Sequence, residues 1–302
     1  MREITKSLIS KLPFVGWRYH NYQEYYRNSC FEPGHYYSPI VRVADARQRQ
    51  DIIWQGRAVD GVAGIDLRPT EQLALMKELQ AYYPEMPFKA QKQAGLRYYF
   101  DNGLYTHTDG IILYSMLRHF RPRRIIEAGS GHTSALMLDV NERFFNNELE
   151  LTFIDPEPER LYSLLTAQDR ARVTVHATMV EGLDVEQFRK LEKNDILFID
   201  STHVSKTGSD VNHLFFNVLP LLASGVIVHI HDIFYPFEYP KKWVFEGRNW
   251  NENYLLRAFL MYNSAFDILH FSDYLQVHHP SAFAGMPEAA AGPGGNIWLV
   301  KK

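Results

Sequence analysis

The stretch RRIIEAGSGHTS, residues 123–134, decides how the rest of the chain reads. Ile125 and Ile126 sit in a short apolar run that predicts a strand, and the residues from Thr133 onward predict a helix. Between them Gly129 and Gly131 permit a tight turn and let the backbone come close to a ligand. The N-terminus of the following helix then points at the same place.

Working outward, short apolar runs alternate with helical stretches. The strand candidates are residues 123–128, 149–155, 172–177, 195–200, 225–232, 266–272 and 296–301. Helices fit residues 133–146, 157–167, 184–192, 208–222 and 250–263 between them, and a further helix, Asp109 to Phe120, precedes the first strand and stops at Pro122. Strands apolar on both faces and joined by helices imply a buried parallel sheet. The last two candidates lack a helical pattern between them, which predicts a β-hairpin and an antiparallel seventh strand. The expected fold is α/β: a Rossmann-like, seven-stranded, mostly parallel sheet with an antiparallel last strand, plus an N-terminal helical and irregular extension. The extension is expected at 1–95, as a lid or oligomer contact, with an amphipathic opening helix and another helix near Thr70–Tyr83. The catalytic domain is expected at 96–302.

Such a sheet binds its ligand at the carboxyl ends of its strands. A dinucleotide site would place G-x-G-x-x-G at the first of these ends to hold pyrophosphate. Here Ser134 stands in place of the third glycine, and the acid Glu127 precedes the first. A carboxylate suits a ligand without phosphates that carries positive charge; S-adenosylmethionine has a sulfonium and an ammonium. Asp155 ends the second strand, where an acid can accept ribose hydroxyls. A helix N-cap before Pro156 is the alternative reading of Asp155. The fourth strand ends in Asp200-Ser-Thr-His203 and the fifth in His229-Ile-His231-Asp232. Methyl transfer needs positioning and a general base, and histidine titrates in the right range.

EAGSGHTS with its upstream segment DGIILYSMLRHFRPRRII resembles the first motif of class I S-adenosylmethionine-dependent methyltransferases. The likeness continues through FIDSTHVSKTGSDV, HIHDIFYPFEYPKKW and WNENYLLRAFL. These resemble the small-molecule O-methyltransferase branch that includes catechol and macrolide-sugar enzymes. The resemblance implies that Glu127, Gly129, Ser130, Gly131, Ser134 and Asp155 contact the cofactor, with Met179 near its adenine. It also implies that Asp200, His231 and Asp232 hold a divalent cation and that His203 is the base, with Asp200 and Asp232 beside it in the catalytic group. His231 stands where that branch usually has a carboxylate, and a mixed donor set favours a transition metal over magnesium, or no metal.

The implied activity is O-methylation of a hydroxyl on a small molecule or a sugar. The alternatives are a nicotinamide-dependent oxidoreductase, disfavoured by Glu127 and Ser134, and a non-catalytic cofactor-binding module. A formal charge of −3 gives no basic surface for nucleic acid. The single cysteine, Cys30, implies no oxidising compartment. Without an apolar leader or a bilayer-length run, the expected location is the cytoplasm; the expected partner is a small-molecule or carbohydrate acceptor, and the sequence leaves a homo-oligomer open. Tyr235, Tyr239 and Trp243, in the aromatic segment Phe234–Trp250, are candidates to stack on an acceptor, whereas His229 reads as structural by alternation.

Overall fold

All seven apolar runs form strands: β1 (Arg124–Ala128), β2 (Glu150–Ile154), β3 (Thr174–His176), β4 (Ile196–Ile199), β5 (Ile227–His231), β6 (Phe266–Phe271) and β7 (Asn296–Lys301). They make one sheet in the order β3-β2-β1-β4-β5-β7-β6. Strands β1 to β5 pair in parallel, and β7 runs antiparallel to both β5 and β6. Every residue of β4 and β5 is buried, as expected of central parallel strands covered on both faces. Strand β1 lies between β2 and β4, so the connections leave it in opposite directions along the sheet. That divergence is the switch point at which such sheets bind ligands.

The computed structural model describes residues 13–302, and the amphipathic opening of the chain lies largely outside them. Two compact units are present. The smaller joins the residues up to Ile53 with Lys241–Asn249. It contains helices α1 (Pro13–Asn28) and α2 (Val43–Gln48) and the short helix Lys241–Phe245. Within it the Arg47 guanidinium lies 4.1 Å from the centre of the Phe245 ring, and the Val41 N–H donates to Asn249 Oδ1 at 3.1 Å. The larger unit, Trp54–Pro240 with Trp250–Lys302, holds the whole sheet. It begins well before the boundary expected near residue 95. The reason is packing: Leu67, Met76, Leu79, Met86 and Phe88 are buried in the same core as the strands.

The larger unit carries helices α3 (Pro69–Gln80), α4 (His107–Phe120), α5 (His132–Phe144), α6 (Glu159–Leu164), α7 (Asp210–His213), α8 (Glu252–Leu260) and α9 (Ser272–His278). Residues Thr108 to Leu117 of α4 are all buried, which fits a helix enclosed on every side. Its end is set by Arg121 in the left-handed region at φ 48° and by Pro122, which cannot continue the ladder.

Two further expectations are corrected. The helix expected over 208–222 is one α turn followed by a π turn at Leu214–Val218 and a 3₁₀ turn at Leu219–Leu221. Pro220 has no N–H to give to an α-helical ladder there. The last two strands are antiparallel neighbours, but a hairpin turn does not join them. Helix α9 and 3₁₀ turns at Pro280–Phe283 and Pro287–Ala290 fill the connection. Among the described residues, no helix is long and apolar enough to cross a membrane.

Arg97 ties the strand-preceding segment to two helical elements. Its guanidinium donates to Asp139 Oδ1 at 2.7 Å, and to both Asp169 oxygens at 2.8 and 3.0 Å. Asp139 Oδ2 also accepts the backbone N–H groups of Arg97 and Tyr98, each at 2.8 Å. Burial pushes the Asp139 carboxyl up, against the pull of these donors. Removing the arginine leaves a buried carboxylate short of its counter-charge, so Arg97→Ala is expected to destabilise the protein by about 3–5 kcal/mol. A urea unfolding curve with an unchanged midpoint would contradict this.

Candidate active site

The glycine turn is built from beneath. Glu127, at the end of β1, is wholly buried, and its two oxygens accept the hydroxyls of Thr133 and Ser134. The Ser134 hydroxyl oxygen in turn accepts the Gly131 N–H at 3.0 Å. Burial raises the Glu127 pKa to about 8, with the two hydroxyls opposing it. The carboxyl therefore stands under the turn and fixes its shape. Asp155, partly exposed after β2, holds the turn from the side: Oδ2 accepts the Ser130 N–H at 2.9 Å and the Ser130 hydroxyl at 3.0 Å, while Oδ1 accepts the Glu157 N–H at 2.8 Å. Both acids thus organise the loop that presents Ser130 and Gly131. Met179 lies on the surface, 54% exposed, in the loop after β3.

Gly129 is required for two reasons. Its φ is +84°, and a Cβ there would lie 1.8 Å from the Asp200 carbonyl oxygen. The loops leaving β1 and β4 touch backbone to backbone at this point. Gly131 is less constrained, because its added Cβ would meet only the Arg160 side chain, at 3.2 Å.

The ends of β4 and β5 bring Asp200, His203, His231 and Asp232 together. His203 Nε2 lies 3.5 Å from Asp200 Oδ1 and 3.4 Å from Asp232 Oδ2. His231 Nδ1 lies 3.3 Å from Asp200 Oδ1 and 3.4 Å from Asp232 Oδ1. Asp200, His231 and Asp232 offer one donor atom each within 4.8 Å of one another. His203 at φ 60° and Asp232 at φ 55° are both left-handed non-glycine residues. Such positions are uncommon, cluster at functional sites, and persist only where the surroundings over-determine them.

Residues 126–233 match a family model described as a methyltransferase domain. That span runs from β1 to just past Asp232 and so takes in the glycine turn and both acid-bearing strand ends. An uncharacterized protein of Archaeoglobus fulgidus is 37% identical over 171 residues, covering 55% of this chain and 76% of that one. The chain carries a methyltransferase domain of that family. Among solved structures it is similar to the O-methyltransferase TomG from Streptomyces achromogenes in complex with SAM, at 14% identity over 79% of this chain and 92% of that one, TM-score 0.40. It is also similar to a Mg-SAM form of CmcI, at 18% identity over 74% and 84%, TM-score 0.39.

The methyltransferase holds its strand-end cluster in a mutual balance of charge. Burial opposes ionisation of Asp200, but His231 and His203 hold its carboxyl well below the usual carboxylate range. Burial instead pushes Asp232 up, against the same two imidazoles. Burial would lower His203, yet Asp200, Glu252 and Asp232 raise it to about 10. His231 is likewise raised, against its burial, by Asp200 and Asp232.

Two members of this cluster were not singled out in the sequence. Asp109, near the start of α4, accepts the Gly295 N–H at 2.9 Å and an amide N–H of Asn296 through Oδ1, and its Oδ2 lies 3.6 Å from His231 Nε2. Glu252, in the first turn of α8, is wholly buried and 2.9 Å from His203 Nδ1. Both read locally as first-turn helix acids that complement the macrodipole; the contacts that matter are remote in sequence.

Three further candidates pack into the interior. His229 is buried and stacked on Phe198, with ring centres 3.8 Å apart, which agrees with its structural reading. Tyr235 is also in the core, its hydroxyl donating to the Val59 carbonyl and accepting the Gly61 N–H, so it is not an acceptor-stacking residue. Tyr239 is buried too, its hydroxyl accepting the Asn253 N–H at 3.3 Å.

Gly129→Ala is expected to destabilise the methyltransferase by more than about 2 kcal/mol, since left-handed strain and a main-chain clash combine. Cofactor affinity should fall with it. A thermal melt and a calorimetric titration showing neither change would refute the close-approach argument.

Proposed function

We propose that this enzyme transfers a methyl group from S-adenosylmethionine to a hydroxyl of a small molecule or sugar, with His203 as general base. The observation that carries this reading is the direction of His203. Its Nδ1 side is taken by Glu252, so Nε2 faces the space between Asp200 and Asp232, at the strand ends beside the glycine turn.

S-adenosylmethionine, when bound, supplies a methyl group on a positively charged sulfur. The turn from Gly129 to Gly131 offers backbone that can approach such a ligand closely, and we assign its ribose hydroxyls to Asp155, just after β2. Asp200 and Asp232 orient the acceptor hydroxyl. His203 Nε2 takes the hydroxyl proton as the acceptor oxygen forms its bond to the methyl carbon, and the sulfur keeps the electron pair of the broken bond. In the free enzyme the neighbouring carboxylates favour protonated His203. Once those carboxylates compensate another positive charge, His203 gives up its proton more easily and becomes competent as a base.

The residues also fit a divalent cation. His231 Nδ1 is buried without a hydrogen-bond partner among the described residues and sits between two carboxylate oxygens. Asp109 beside Nε2 favours the tautomer that leaves Nδ1 free as a donor. A cation held by Asp200, His231 and Asp232 would supply a Lewis acid that lowers the pKa of the acceptor hydroxyl. The mixed nitrogen and oxygen donor set favours Mn²⁺ or a later transition metal over Mg²⁺. We place the enzyme in the cytoplasm on the strength of its lone, exposed Cys30.

Transfer of labelled methyl from S-adenosylmethionine to a panel of catechols and sugars tests the reading. His203→Ala is expected to lower turnover by roughly 10²–10⁴-fold while cofactor affinity stays within a few-fold. Full activity in that variant would reject the base assignment, and calorimetry showing NADH binding without S-adenosylmethionine binding would reject the cofactor. For the cation, titration of Mn²⁺ should show binding that weakens at least about tenfold in Asp200→Asn. Equal affinity in the two proteins would place the cation elsewhere.

A further inference from the structure

We infer that Glu252 is a positioning residue for His203, forming with it a buried carboxylate–imidazole dyad. The inference rests on the proposed base role of His203 and deepens it.

The contact is between residues 49 apart in sequence, with His203 Nδ1 and Glu252 Oε2 at 2.9 Å. The main chain enforces it. The His203 carbonyl accepts the N–H groups of Asn251 and Glu252 at 3.1 and 3.2 Å. One residue pair further on, Asn251 Oδ1 accepts the Ser205 N–H at 2.6 Å and its amide nitrogen donates to the Ser205 carbonyl at 3.0 Å. The start of α8 is thus clamped to the loop after β4 by four hydrogen bonds. The Trp250 ring packs on the imidazole with centres 4.5 Å apart. His203 itself is held in the left-handed region, which the clamp stabilises against its local preference.

A purely structural role accounts poorly for Glu252. A first-turn acid that complements a helix dipole belongs at the surface, yet Glu252 is 0% exposed. Its Oε1 has no hydrogen-bond partner among the described residues. Burying a carboxylate with one oxygen unsatisfied is expensive, and a neutral side chain would fill the space at lower cost. The arrangement is understandable if Oε2 is required on Nδ1. Accepting the Nδ1 proton fixes the ring plane and reserves Nε2 for the side facing Asp200 and Asp232. This is the general logic of a base oriented by a third group.

The test is a long-range ¹H–¹⁵N correlation on ¹⁵N-histidine-labelled full-length protein, with His203 assigned by the signal lost in His203→Gln. A far-downfield, slowly exchanging Nδ1 proton is expected for His203 whatever its charge. Glu252→Gln should weaken that shift and protection, while Glu252→Asp, which keeps the charge, should retain more of both. In labelled-methyl transfer, Glu252→Gln should lower kcat by roughly 10–100-fold with little change in KM for S-adenosylmethionine, and should add no further loss in a His203→Ala background. A His203 Nδ1 signal unchanged by Glu252→Gln would overturn the dyad while leaving the base role standing. So would an equal loss of activity in both backgrounds. If Glu252→Gln does not fold, an Nδ1 proton exchanging freely in the wild-type protein overturns the dyad by itself. Full activity of His203→Ala would remove the base role and the positioning role together.

Discussion

The site depends on one close approach, the contact of the Gly129 backbone with the carbonyl of Asp200 where β1 and β4 part. In a parallel sheet the loops after neighbouring strands usually diverge at their own convenience. Here they are locked: Gly129 N–H donates to the Ile154 carbonyl at 2.9 Å, and Asp200 N–H to the Ala128 carbonyl at 2.9 Å. The glycine turn and Asp200, the first acid of the proposed site, are therefore set by the same hydrogen bonds that end the sheet. No flexible linker stands between the group proposed to hold the methyl donor and the group proposed to hold the acceptor. Most of the entropy of arranging them is spent in folding, before any ligand arrives.

The second constraint is electrostatic. Asp200, Asp232, Asp109 and Glu252 face two imidazoles, with Asp109 and Glu252 each taking the outer side of one ring. The inner nitrogens, His203 Nε2 and His231 Nδ1, then face the same pair of carboxylates. The two histidines are thereby differentiated by what stands behind them. His203 has a fully buried acid at hydrogen-bond distance, whereas Asp109 is 3.6 Å from His231 and is itself bound to residues at the start of β7. Rigid backing suits the proposed base, and looser backing suits the proposed cation ligand.

The sheet was legible because its strands are short apolar runs between helical spacings, a pattern that depends on local burial alone. Six of the predicted site residues lie within Glu127–Asp155, where turn glycines and strand-end acids announce themselves. The positions of Asp200, His203, His231 and Asp232 followed from the rule that strand ends converge. Glu252 and Asp109 could not be found that way. Each begins a helix, where an acid is unremarkable, and each acquires its meaning from a histidine on another element. A signal did exist for Glu252: WNENY places two asparagines and a carboxylate at a helix start, more side-chain acceptors than an N-cap uses. The hairpin expectation failed because the Pro- and Gly-rich connection from residue 272 to 295 hides one short helix and two 3₁₀ turns, none long enough to produce a period.

The backbone at His203 and Asp232 closes the argument. Both occupy a left-handed conformation that is costly for most residues with a side chain, though histidine and aspartate adopt it more readily than most. The strain is tolerated because the clamp from α8 and the ends of the sheet over-determine those two positions. At these two positions an imidazole and a carboxylate stand 3.4 Å apart. The groups of the proposed site are thus held by contacts remote in sequence rather than by local sequence alone.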